Sequence, residues 1–164
     1  MTATERAVAS HTYTIYIDAT AEAIWHAITD REQTVRYGYG CQVAYDLRPG
    51  GAFSVIASAA MSEHMSGVII EGEVIEADAP HRLVQTWNPL FGPPITDEPS
   101  TRLTYAITPA GNGATKVTMT HELDGAPVTA GLVNGDDEMG GGGWAFVLSD
   151  LKSLLETGKS FAGS

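Results

Sequence analysis

One cysteine, Cys41, rules out an internal disulfide and fits a reducing compartment. Basic residues are scarce: 9 Lys and Arg against 20 Asp and Glu, for a net charge of −11. That balance argues against nucleic acid, whose phosphates need Lys and Arg, and against an anionic membrane surface. No apolar run approaches the roughly 20 residues that span a bilayer, and the start shows no n-region followed by an apolar h-region. A cytoplasmic protein with no membrane insertion is expected. The five histidines, His11, His26, His64, His81 and His121, are scattered without ligand spacing such as HxxxH, so no metal is expected. Neither GxxxxGK[ST] nor GxSxG occurs, which leaves phosphate-loop and serine-hydrolase chemistry without support. No cofactor is expected.

What is present is a chain of 164 residues, 43% apolar, enough for one domain with a real core. Residues 1–10 read as a flexible tail, 11–158 as the domain and 159–164 as a second tail. The strongest element is Gly140 to Gly158. Trp144, Val147, Leu148, Leu151, Leu154 and Leu155 recur at steps of three and four, on one helical face. Ser149, Asp150, Lys152, Ser153 and Glu156 are expected opposite. Gly158 is a plausible C-cap, and Asp136, Asp137 and Glu138 suit the helix dipole at the other end.

Before that helix the period is two. Strands are expected at 11–18, 41–47, 52–58, 67–77, 82–87, 101–108 and 114–123. Thr20 and Asp30 are N-cap residues for two short helices after the first strand. Residues 88–100, with four prolines, and the turn-rich 124–143 are expected to be loops. Strands in unbroken series mean an antiparallel sheet and an α+β class.

Alternation chooses faces. Phe53, Val55 and Ala57 go together, as do Leu83, Gln85 and Trp87; Leu103, Tyr105 and Ile107; and Val117, Met119, His121 and Leu123. These sets should face the long helix. Val68, Ile70, Gly72 and Val74 share one face and Ile69, Glu71, Glu73 and Ile75 the other, and Glu71 and Glu73 are expected outside, because buried unpaired carboxylates are costly. An apolar surface carrying Gln85, Trp87, Tyr105 and His121 suits a ligand site, although each is also an ordinary core residue with a satisfied polar tip. His121 reads either as a tied core histidine or as an acid/base group. Trp144 reads as a packing anchor, and Cys41 as a small apolar residue. Met61, His64 and Met65 form a loop or a rim.

Four motifs, in order, resemble those of a known family: Asp46-Leu47-Arg48-Pro49-Gly50-Gly51-Ala52-Phe53; Gly72-Glu73-Val74; Pro80-His81-Arg82-Leu83-Val84-Gln85-Thr86-Trp87; and Gly142-Gly143-Trp144 with Leu148 and Leu151-Lys152. The chain resembles the bacterial Hsp90-ATPase-activator-homologue-1-like (AHSA1-like) family of the START/Bet v 1-like (SRPBCC) superfamily over about residues 11–158. The resemblance implies a helix-grip fold: a curved antiparallel sheet of six to seven strands around the C-terminal helix, with a cavity between. It implies a small apolar or aromatic molecule or lipid as partner, with Phe53, Val55, Gln85, Trp87, Tyr105, Met119, His121, Trp144 and Leu148 as candidate ligand-binding residues. One alternative is a polyketide cyclase or dehydratase-like enzyme with His121 and Tyr105 as acid/base pair and Gln85 polarising a carbonyl. Another is a chaperone-related or regulatory interaction domain, which would need an exposed apolar patch. A homodimer through an edge strand and the loop around Phe91 is a candidate assembly.

Overall fold

The computed structural model describes residues 10–61, 65–135 and 142–162. In chain order the elements are β1 (Ser10–Ile17), α1 (Ala21–Thr29), α2 (Arg31–Thr34), β2 (Gln42–Tyr45), β3 (Ala52–Ile56), β4 (Val68–Asp78), β5 (Arg82–Pro89), β6 (Thr101–Pro109), β7 (Thr115–Glu122), α3 (Pro127–Val133) and α4 (Gly143–Thr157). The strands form one seven-stranded sheet in the order β1-β7-β6-β5-β4-β3-β2, every pair antiparallel. The helix-grip α+β architecture expected from the sequence is the one found. His64 and the acidic run Asp136-Asp137-Glu138 lie outside the described residues.

The short helices begin where their caps stand. Thr20 Oγ1 accepts the Ala23 N–H at 3.1 Å, and Asp30 Oδ1 accepts the Glu32 N–H at 2.8 Å. The amphipathic α1 buries Ile24, Ala27 and Ile28. α4 ends at Gly158, whose φ of 81° places it in the left-handed region. Its other end has no side-chain cap hydrogen bond, and the Tyr39 ring stacks on Phe146 beside it at 5.3 Å. Gly143 has φ +64°, and a Cβ there would lie 2.2 Å from the Val133 carbonyl oxygen, so only glycine lets α4 start against the end of α3.

Three expectations are corrected. Residues 124–143 contain a helix, α3. Pro127 at its start and Gly131 within it hide its pattern, and no local side chain caps it. Glu98, from the proline-rich loop, does so instead. It accepts the Val128 N–H at 2.7 Å, and the Thr129 N–H at 2.8 Å and hydroxyl at 2.7 Å. Partial burial would raise its pKa, but these hydrogen bonds outweigh that and hold it low.

The second correction is Asp150. Expected on the solvent side of α4, it has no exposure. Its Oδ2 accepts from the Gly38 N–H at 2.9 Å and the Ser160 hydroxyl at 2.5 Å, and its Oδ1 from the Phe161 N–H at 2.8 Å. Residues 160–162 therefore fold back onto α4. Burial pushes the carboxyl pKa up, yet donors from Ser160, Gly38, Phe161 and Ala162 prevail and keep it below its ordinary value.

The third is Val68, expected inside and 45% exposed. The β3–β4 register slips between Val55 and Ile56, which turns Val68 outward and Ile69, expected on the outer face, inward; Ile70 and Val74 stay buried and Glu71 and Glu73 exposed, as the alternation requires.

Candidate functional site

The concave face of the sheet carries two polar constellations in an apolar field. Phe53, Leu83, Gln85, Trp87, Leu103, Tyr105, Ile107, Val117, Met119, His121 and Leu123 are buried on it, and Leu148, Leu151 and Leu154 of α4 are buried over it. Val55 and Trp144 are half-buried. All nine candidate residues therefore lie on or against one surface.

The first constellation is centred on His121. The Trp144 indole Nε1–H, which can only donate, donates to His121 Nδ1 at 3.0 Å. Nδ1 must then be the bare nitrogen, and Nε2 carries the proton. Nε2–H donates to Thr101 Oγ1 at 2.7 Å, and the Thr101 hydroxyl donates to the Trp87 carbonyl at 2.9 Å. One directed chain runs from α4 through three side chains into the β5 backbone. Trp87 meets the imidazole edge to face at 5.1 Å, and Trp144 lies 5.6 Å from Trp87. Burial, with the nearby charge of His11, lowers the His121 pKa from 6.5 to about 4, so the ring is neutral at pH 7. Both nitrogens have protein partners, which leaves His121 no free lone pair for substrate chemistry. The link from Trp144 makes it a fastener between sheet and helix.

The second constellation is phenolic. Tyr45 of β2 donates to Gln85 Oε1 at 2.5 Å and packs its ring on Phe53 at 4.8 Å. Tyr37 donates to the Ala27 carbonyl at 2.9 Å. Tyr105 has no hydrogen bond among the described residues, and burial alone raises its pKa. The three hydroxyls lie near enough to act electrostatically on one another. His121 and Tyr105 thus belong to different networks.

Tyr45, Tyr37 and Thr101 were not singled out from the sequence. Extending the alternation to β2, where Val43 and Tyr45 share a face, would have found Tyr45. Thr101 opens β6, where no pattern distinguishes it.

One end of this surface is only half-buried. α4 runs close to β1, α1 and α3 rather than to β2 and β3. There Cys41, Val43, Val55, Ala57, Met61, Met65, Trp144 and Val147 pack against the core while remaining half-buried, and Cys41 Sγ–H faces Met61 Sδ at 3.7 Å. Two open grooves of about 460 and 450 Å³ lie elsewhere. One sits between Thr20 to Glu22 and the β6–β7 hairpin, the other over the outer face of β3 to β5 at Glu71 and Glu73, and neither gathers a chemical constellation. Among the described residues no group of three His, Cys, Asp or Glu is placed to hold a metal ion, and no helix is long and apolar enough to cross a membrane.

A curved antiparallel sheet folded around a long C-terminal helix, with an apolar inner face, defines a helix-grip domain of the Bet v 1-like SRPBCC class. The family follows from the sequence: residues 18–156 match the model of the activator of Hsp90 ATPase homolog 1-like proteins, and the chain belongs to that family. Solved structures agree on the fold. CalU16 from Micromonospora echinospora is 18% identical with a TM-score of 0.64, covering 91% of this chain and 77% of its own. PFC0360w, an HSP90 activator from Plasmodium falciparum, is 21% identical with a TM-score of 0.63, covering 90% and 96%. NE0264 from Nitrosomonas europaea is 20% identical with a TM-score of 0.65, covering 91% and 95%. No curated protein matches the sequence.

Proposed function

We propose that the protein binds an apolar or aromatic small molecule or lipid between the sheet and α4. The observation that carries this reading is the half-buried apolar end formed by Val43, Val55, Ala57, Met61, Met65, Trp144 and Val147. An apolar surface left partly wet inside a fold is what an apolar ligand would cover. Methionines at its rim can repack around different shapes. The lone Cys41 fits a cytosolic setting.

The binding reading is favoured over an acid/base enzyme because His121 is neutral and fully partnered. Trp87 and Trp144 line the inner face, so ligand entry should change tryptophan emission. Titration with fluorene is expected to give saturable quenching. In Ala57→Trp, which fills the half-buried end, the apparent affinity should fall by about tenfold or more, the equivalent of ~1.4 kcal/mol. A flat titration of the parent protein would contradict the reading.

A further inference from the structure

We propose that the inner face recognises one carbonyl oxygen on an otherwise apolar, uncharged ligand, and that Tyr105 Oη–H is the donor. This rests on the ligand-binding reading above and names what that site would select.

Of the polar groups on this face, Tyr105 keeps a donor unused among the described residues, while the Gln85 amide is enclosed. Gln85 has no solvent exposure. Its Oε1 is occupied by the Tyr45 hydroxyl, which fixes the amide so that its NH₂ is the remaining end. That NH₂ has one long contact, 3.5 Å to the Thr86 carbonyl. Tyr105 is 8% exposed, and no hydrogen bond reaches its hydroxyl among the described residues.

Ser58 Oγ is the one fully occluded side-chain polar atom without a partner among the described residues. The Tyr105 oxygen therefore borders accessible space, deep within the fold. Leu83 pairs with Tyr105, and Gln85 with Leu103, so Gln85 and Tyr105 are diagonal neighbours on one face of adjacent strands. Such neighbours lie ~7–8 Å apart at the backbone, within reach of long and aromatic side chains.

An unused donor beside an apolar surface calls for an acceptor, because leaving it unpaired is costly. A carbonyl oxygen, which can only accept, matches it. A carboxylate fits poorly: the buried polar residues include no Lys or Arg, and the chain already carries a net charge of −11. The raised pKa values of Tyr37, Tyr45 and Tyr105 point the same way, since burial there disfavours negative charge.

Matched probes with and without a carbonyl test this: fluorenone against fluorene, and decanone against decane. Each is titrated into the full chain and into Tyr105→Phe. The parent should prefer the ketone by about tenfold, the usual strength of one buried hydrogen bond. In Tyr105→Phe the preference, read as the ratio of ketone to hydrocarbon affinity within the same protein, should fall to about threefold or less. The infrared carbonyl stretch of bound fluorenone should lie below its value in hexane and move back up in the variant. The variant removes no hydrogen bond from the free protein, so its melting temperature should hold. Equal affinity for ketone and hydrocarbon, with an unshifted stretch, would overturn the proposal and leave the binding reading standing; the donor then serves water alone. An undiminished preference in Tyr105→Phe would overturn the assignment to Tyr105. Binding of neither member of either pair would overturn both readings.

Discussion

Asp150→Ala is expected to destabilise the fold by on the order of 3 kcal/mol, against a few tenths for the exposed neighbour Ser149→Ala. The carboxylate is the common acceptor for the Gly38 N–H, the Ser160 hydroxyl and the Phe161 N–H. It joins three separate parts of the chain: the turn after α2, the middle of α4 and the segment beyond Gly158. Alanine would leave those donors without a partner, and hydrogen bonds to a charged group count for more than neutral ones. For a domain of this size ~1 kcal/mol corresponds to about 2–4 °C, so the melting temperature should drop by roughly 6–12 °C. Asp150→Asn should recover only part of the loss, because its NH₂ would face donors. Its folded pKa lies below 3.8, so the Asp150 contribution is present above that pH and lost as pH falls through the lower folded value. A melting temperature within 2 °C of the parent would refute the role given to Asp150.

Acid should weaken the protein well before Asp150 titrates. The pKa of His121 falls from 6.5 in the unfolded chain to about 4 in the fold. Between those values the unfolded chain holds a proton that the folded one does not, so stability declines as pH falls. The neutral-histidine contribution is complete above 6.5 and is lost progressively on the way to 4 and below. Each pH unit in that window is worth ~1.4 kcal/mol, which gives on the order of 3 kcal/mol across it. The structural reason is the Trp144 bond. Protonation turns Nδ1 into a donor facing the Trp144 N–H, and the link from sheet to α4 breaks. Urea unfolding at pH 7 and pH 4.5 should show this drop in the parent. It should be mostly gone in His121→Leu, which is less stable at both. Subtracting the variant isolates the contribution of His121. Equal pH dependence in the two proteins would show that His121 is not the group. Nitrogen chemical shifts in the parent should report a protonated Nε2 and a bare Nδ1.

The architecture was legible in the sequence because its two periods are clean. Alternation from Leu83 to Trp87, Leu103 to Ile107 and Val117 to Leu123 placed Gln85, Trp87, Tyr105 and His121 on the inner face, where they lie. Repeats of three and four placed Leu148, Leu151 and Leu154 over it. What stayed hidden depends on partners distant in sequence. α3 carries Pro127 and Gly131 and is capped by Glu98, which no local pattern announces. Asp150 sits beside Val147, Leu151 and Leu154 at the edge of the apolar stripe. Its donors come from backbone N–H groups and a serine in loops, which have no signature in composition. The pairing of His121 with Trp144 joins a strand to a helix, and periodicity within each element says nothing of it. The exposure of Val68 and the burial of Ile69 follow from a β-bulge, which breaks the alternation at a point that no sequence pattern marks.

Occupancy of the space between sheet and α4 by a small apolar molecule can be read by native mass spectrometry of freshly purified protein, compared with the denatured mass. The expected result is a reproducible adduct of a few hundred daltons that dissociates on denaturation and is absent or greatly reduced in Ala57→Trp. A bare native mass that stays bare after incubation with fluorene, fluorenone, decane and decanone would contradict it.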